Sequence, residues 1–157
     1  MALAGLSMGH AQPVSTPPDP AVLQLGGLSA DDAAGMAANL CSQRVPDSRA
    51  DWAETSRQWH GQHGGKLAAL KQSSRALEAA LKAKAGQDAP LDLGQYTMLL
   101  AQGPTLILYG LAGANDAKAR ELCESFRARL LDRQKIDASL DETQAAASAV
   151  LGTLSRR

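Results

Sequence analysis

Aromatic residues are almost missing from this chain of 157 residues. It has one Phe, two Tyr and two Trp, 3% in all, and Val and Ile are also scarce. Because β-branched and aromatic residues favour strands, this composition argues against a sheet. Ala and Leu supply most of the hydrophobic 45% and are strong helix formers. The sequence therefore predicts an all-α fold, a compact bundle of five or six helices with one long amphipathic helix.

An excess of charge of either sign is missing too. The 16 basic and 16 acidic residues give a formal net charge of zero, so there is no electrostatic case for nucleic acid or an acidic membrane surface. A local basic excess in residues 49–84 is typical of a solvated helix face. We predict no nucleic-acid partner and no cofactor.

Cysteine is limited to Cys41 and Cys123. Two cysteines are too few for a zinc site of their own, and this pair is too far apart for a CxxC redox motif. In an oxidising compartment they would form one disulfide that closes a loop of about 80 residues. In a reducing compartment they would be two buried thiols that act as small hydrophobic side chains. The compartment decides between these two interpretations.

The first 28 residues contain no Lys or Arg and divide into two segments. Residues 1–11 are mildly apolar and end in Gly9-His10-Ala11, a small-x-small pattern typical of signal-peptide cleavage. Since a basic n-region is missing, we interpret them as a truncated signal peptide, with an intracellular tail as the alternative. Residues 12–28 begin with four prolines in nine positions, which predicts a disordered tether. A single helical domain would then occupy residues 29–157.

Capping patterns and apolar spacing locate the helices. Ser29, Ser48 and Ser139 are each followed three residues later by Asp or Glu, which predicts a helix start at each serine. The longest helix is predicted over about residues 49–85, with a kink or break near Gly61 and Gly65. Its predicted buried stripe consists of Trp52, Ser56, Trp59, His63, Leu67, Leu70, Ser74, Leu77 and Leu81.

Residues 93–115 carry no charge, yet Gln95, Gln102 and the central Gly103-Pro104 weaken the case for a membrane span. We predict two short buried helices that meet at Gly103-Pro104. Asn115 or Asp116 would cap the next helix, which would end near Lys135. The core residues predicted in the second short helix are Leu106, Ile107, Tyr109 and Leu111.

Two residue pairs are candidates for a functional site. His60 and His63 have a spacing that can place two imidazoles on one metal ion, but no further ligand lies near them in the sequence, so a polar patch is the simpler interpretation. Trp52 and Trp59 lie two turns apart on one helix face. Core packing is the simpler interpretation there, and a groove for a partner or an apolar ligand is the functional one. No catalytic constellation is found.

The run Cys41-x4-Pro46-x5-Trp52-x6-Trp59, with Leu122-Cys123 late in the chain, resembles small exported two-cysteine helical proteins of Gram-negative bacteria. The resemblance covers about residues 29–135 and implies a periplasmic location and a Cys41–Cys123 disulfide, but no activity. A weaker resemblance links Leu140–Gln144 to the LTxxQ motif of periplasmic helical chaperones.

Together these features favour a non-catalytic periplasmic protein that binds another protein or a component of the cell envelope. A metal-dependent protein or enzyme that uses His60 and His63 is one alternative. A cytosolic interaction module with free thiols is the other.

Overall fold

A computed structural model describes residues 19–84 and 89–156. Within these ranges the chain is helical and contains no strand, as the composition predicts. The predicted signal peptide of residues 1–11 lies outside the described residues. The helices are α1 (Pro20–Gln24), α2 (Ala30–Arg44), α3 (Arg49–Ala83), α4 (Leu93–Ala112), α5 (Asp116–Leu131) and α6 (Arg133–Ser155), with 3-10 turns at Leu25–Ser29 and Pro46–Ser48.

The long helix α3 is the central element, packed against both α2 and α6. Its 35 residues are uninterrupted, so the predicted break near Gly61 and Gly65 is wrong. A Cβ atom added to either glycine would meet nothing within 4 Å, because both face outward. Buried side chains on the opposite face, including Trp59 and Leu67, hold this stretch against its neighbours. Tertiary packing therefore outweighs a propensity cost of up to about 1 kcal/mol for each glycine.

The folded region begins earlier than Ser29, which corrects part of the predicted tether of residues 12–28. Asp19 caps α1, its side chain accepting a hydrogen bond from the backbone N–H of Ala21, and Pro20 occupies the first helical position. Proline suits that position because its fixed φ matches the helix. Val22 and Leu25 are buried in the core, so their hydrophobic burial offsets the cost of ordering this segment.

The uncharged segment forms one helix, α4, and not two short ones. A complete capping box between Asp92 and Gln95 starts it, and it continues through Pro104. The predicted core residues are also wrong in part, because Leu106 and Tyr109 are each 73% exposed while Leu111 is buried. Within the described ranges, only one side of α4 packs on the bundle. Among the described residues, no helix combines the length and hydropathy that a membrane crossing requires.

The predicted helix starts at Ser29 and Ser48 are confirmed, because these residues are the N-cap positions of α2 and α3. Their hydroxyls, however, make no capping hydrogen bond to the helix and donate instead to the carbonyls of Gly26 and Val45, three residues earlier. Ser139 lies inside α6, because the boundary between α5 and α6 falls at Asp132, which accepts a hydrogen bond from the Lys135 backbone N–H. At both 3-10 turns the serine hydroxyl therefore bonds to the backbone of the turn and not to the backbone of the helix that follows.

The two cysteines meet in the core. Their sulfur atoms lie 2.03 Å apart, at disulfide bonding distance, and join α2 to α5 across 82 residues of sequence. Trp52 and Leu111 pack in the same cluster. The cysteine pair therefore lies within the apolar cluster that joins α2 to α5 at this end of the bundle.

Candidate functional site

An apolar groove is bordered by α2, α4 and α5, and one residue each of α3 and α6 completes its walls. Its volume is about 350 Å³, within the range of about 300–1,000 Å³ typical of small-molecule sites. The side chains that line it are almost all apolar: Ala30, Ala33, Ala34, Ala37, Trp59, Gly103, Leu106, Ile107, Phe126, Arg129, Leu130 and Ile136.

Small residues on α2 and α4 border the groove and bring these two helices together along its edge. Four alanines of α2 line one wall, and Gly103 of α4 lies opposite them. A Cβ atom added to Gly103 would lie 3.4 Å from the Cβ of Ala33, so the helices approach closely at this point. Larger side chains on α4 and α5, such as Leu106 and Phe126, then border open space that no α2 side chain fills.

Trp59 lines the groove in a fixed orientation. Its indole Nε1 donates a hydrogen bond of 2.9 Å to Asp31 Oδ1, and the ring is 3% exposed. The same Asp31 oxygen lies 3.1 Å from His60 Nε2. The carboxylate therefore satisfies the only polar atom of the indole and holds its apolar face in place.

Among the residues that the structure describes, Arg129 is the only charged side chain that lines the groove. Its neighbours Arg127 and Arg133 pair with Asp51 and Asp137. Arg129 makes no salt bridge with any residue of the described ranges. Arg129 is exposed and also borders a neighbouring recess with Asp132 and Lys135, so it stands at the rim of the apolar groove.

The outward side of α4 forms a second feature, the α4 stripe, defined as Met98, Gln102, Thr105 and Tyr109. Spacings of four, three and four residues place these side chains on one face. Met98 is 69% and Tyr109 73% exposed. Since α4 has no charged residue from its first position to its last, this face lacks the charges that usually cover an outward helix surface.

His60 and His63, the proposed metal pair, bond to different helices. His60 is exposed and faces Asp31 of α2. His63 is fully buried, and its Nδ1 donates to Asp137 Oδ1 of α6 at 3.1 Å. In the part of the chain that the structure describes, no group of three or more His, Cys, Asp or Glu side chains could hold a metal ion.

His63 belongs to a polar cluster between α3 and α6. Lys66 Nζ lies 2.8 Å from Asp141 and 3.3 Å from Asp137. Burial acts to raise the pKa of the Asp137 carboxyl, but hydrogen bonds from Lys66 and His63 outweigh it and leave that pKa below its ordinary value. The hydrogen bond to Asp141 raises the pKa of Lys66. Each shift favours the charged form, as expected of a structural ion-pair network.

Trp52 and Trp59 do not share a surface. Trp52 is 2% exposed and packs beside the cysteines, whereas Trp59 packs with Leu70 and Leu140 in another cluster. Beside Trp52 lies a small polar recess in which Arg120 and Arg127 pair with Asp47 and Asp51. Of the two tryptophans, Trp59 alone borders the apolar groove.

Sequence reasoning missed Arg129 and the α4 stripe. The signal for the stripe was available in the uncharged residues 93–112, but their apolar character was interpreted as burial. Nothing in the sequence distinguishes Arg129 from the other basic residues of α5, because only the fold shows which of them faces the groove.

Comparison of the chain with protein-family models, with curated proteins and with solved structures finds no match.

Proposed function

We propose that this protein is a non-catalytic, exported helical protein that binds another protein through the α4 stripe. The observation that carries the proposal is the exposure of Met98 and Tyr109 on a helix without a single charge. An exposed helix face that combines large apolar side chains with an absence of charge is typical of an interaction site.

The energetics favour an interface of modest affinity. Burying the exposed part of Met98 contributes about 1–2 kcal/mol, and Tyr109 adds a large rigid ring whose hydroxyl can stay in contact with water. Gln102 and Thr105, which lie between these two side chains on the helix, supply hydrogen-bonding groups. An amphipathic helix of the partner, with apolar anchors at helical spacing, would match this surface.

Export is the second part of the proposal. The buried pair of cysteines at bonding distance supports it, because structural disulfides persist in oxidising compartments. The test is the intact mass of the native protein after thiol alkylation in denaturant. Export predicts no adduct before reduction, two adducts after it, and an N-terminus at Gln12. Two adducts without reductant would instead favour a cytosolic protein with free thiols.

The binding proposal is tested by the size of the protein in extracts of its own host. The wild-type chain is expected to elute in a complex larger than the monomer, and the double variant Met98→Lys/Tyr109→Lys as the monomer. The matched control, Ala68→Lys/Ala79→Lys, adds the same two charges to exposed positions of α3 and should leave the complex intact. A wild-type monomer, or a complex that survives the α4 substitutions, contradicts the proposal.

A further inference from the structure

We propose that the apolar groove is a ligand site for a carboxylate of the fatty-acid class, with the acyl chain along the apolar side chains of α2, α4 and α5 and the carboxylate on Arg129. This inference goes beyond the α4 stripe and stands on other residues. The ligand proposed here is a small molecule that binds in the groove, whereas the partner proposed for the α4 stripe is a protein.

The lining selects a ligand that is almost wholly apolar. Ala33, Ile107 and Phe126 present only hydrocarbon to the groove, and the indole N–H of Trp59 is already bonded to Asp31. A polar ligand would leave its hydrogen-bonding groups without partners along these walls. An unbranched acyl chain needs none, and it can follow a groove bordered by alanines.

Charge complementarity selects the head group. Arg129 is the single cation of the lining and makes no salt bridge within the described ranges, although Arg127 and Arg133 nearby are both paired. Guanidinium groups bind carboxylates through two parallel hydrogen bonds. An apolar ligand with one carboxylate can therefore pack against the apolar walls and pair with the guanidinium of Arg129. A neutral hydrocarbon would leave Arg129 without an anion.

The two tryptophans allow a direct test, because Trp59 borders the groove and Trp52 lies beside the cysteines. In the variant Trp52→Phe, Trp59 is the only tryptophan, and its fluorescence reports on the groove. Dibromostearate, a fatty acid whose bromine atoms quench tryptophan at short range, is titrated below its critical micelle concentration. We expect saturable quenching with one ligand per chain.

Reporter controls separate the groove from general hydrophobic partition. The variant Trp59→Phe, which retains Trp52, should show little quenching, and titration calorimetry of stearate with the unmodified chain gives the same stoichiometry without any substitution. Equal quenching of both single-tryptophan variants, or quenching that rises without saturation, overturns the proposal. So does an absence of binding heat at 25 °C and at a second temperature.

Two pairs of variants test the assigned contacts. Ala30→Leu narrows the groove away from the contact between Ala33 and Gly103 and should abolish saturable binding, whereas Ala68→Leu, exposed on α3, should not. Arg129→Gln should weaken stearate on the order of tenfold and leave its methyl ester unchanged, while Arg75→Gln should affect neither. Retained binding in Ala30→Leu, or equal weakening of acid and ester by Arg129→Gln, contradicts the assignment. None of these substitutions changes Met98 or Tyr109. The test of partner binding through the α4 stripe is therefore independent of the test of ligand binding in the groove.

Discussion

Replacing Gly61 and Gly65 with alanine should stabilise this protein, and the size of the effect follows from the structure. Both glycines lie inside the uninterrupted α3, and a Cβ atom added to either meets nothing within 4 Å. Alanine therefore gains helix propensity and restricts the unfolded chain without a steric cost. Each substitution contributes about 1 kcal/mol, and the double variant should gain about 2 kcal/mol in the free energy of unfolding.

The assay is urea unfolding followed by far-UV circular dichroism, with a thermal scan beside it. A gain of about 2 kcal/mol corresponds to a rise in Tm of about 4–8 °C for a chain of this size. The m-value should not change, since the surface exposed on unfolding is the same.

Gly27→Ala is the matched control for the double variant. A Cβ atom at Gly27 would lie 3.1 Å from both Thr143 Cβ and Thr143 Cγ2 and closer still to its hydroxyl oxygen. This overpacking should cost about 1–3 kcal/mol. Unchanged or lower stability of Gly61→Ala/Gly65→Ala would refute the continuous helix and restore the break that the sequence predicts.

Three further predictions follow from the packing. Cys41→Ser/Cys123→Ser should lower the free energy of unfolding, measured by urea unfolding, by about 4 kcal/mol, because a disulfide here closes a loop of 82 residues. A loss below about 1 kcal/mol would show that a Cys41–Cys123 disulfide does not stabilise the fold. Because the pKa of Asp137 is lowered, its carboxyl takes up a proton less readily in the native state than in the unfolded chain. The free energy of unfolding should therefore fall as the pH drops below 3.8, the ordinary pKa of this carboxyl, towards its folded-state pKa. Asp137→Asn should flatten that part of the stability profile, and a profile identical to wild type would remove Asp137 from the acid response. Met98→Lys/Tyr109→Lys should change stability by less than about 0.5 kcal/mol, since both side chains are exposed, and a larger loss in calorimetry would make them structural residues.

The extent of agreement between sequence and structure has a physical basis. The buried face of α3 follows the predicted stripe at Trp52, Trp59, His63 and the leucines, because large side chains at three- and four-residue spacing define a face. The polar positions within it shift by one residue, to Thr55 and Ser73. A serine side chain is compatible with both buried and exposed positions. The larger residues around it therefore decide whether it faces the core or the solvent.

The features that make up the candidate sites were less accessible. An apolar helix face looks the same in a sequence whether a neighbouring helix covers it or not, and so α4 was predicted to be buried at Leu106 and Tyr109, which are exposed. The groove arises from alanines on α2 that meet Gly103 across the bundle. That meeting depends on helix order and packing, which local patterns do not determine.

The most direct test of the proposed function is photocrosslinking inside the native host from position 105, at the centre of the α4 stripe. Thr105 is exposed and is replaced with p-benzoylphenylalanine, and Ala79 on α3 receives the same group as the control. The account predicts one discrete crosslinked protein from position 105 that disappears when Met98→Lys/Tyr109→Lys is added, and none from position 79. The same products from both positions, or none from position 105, would contradict a binding role for α4.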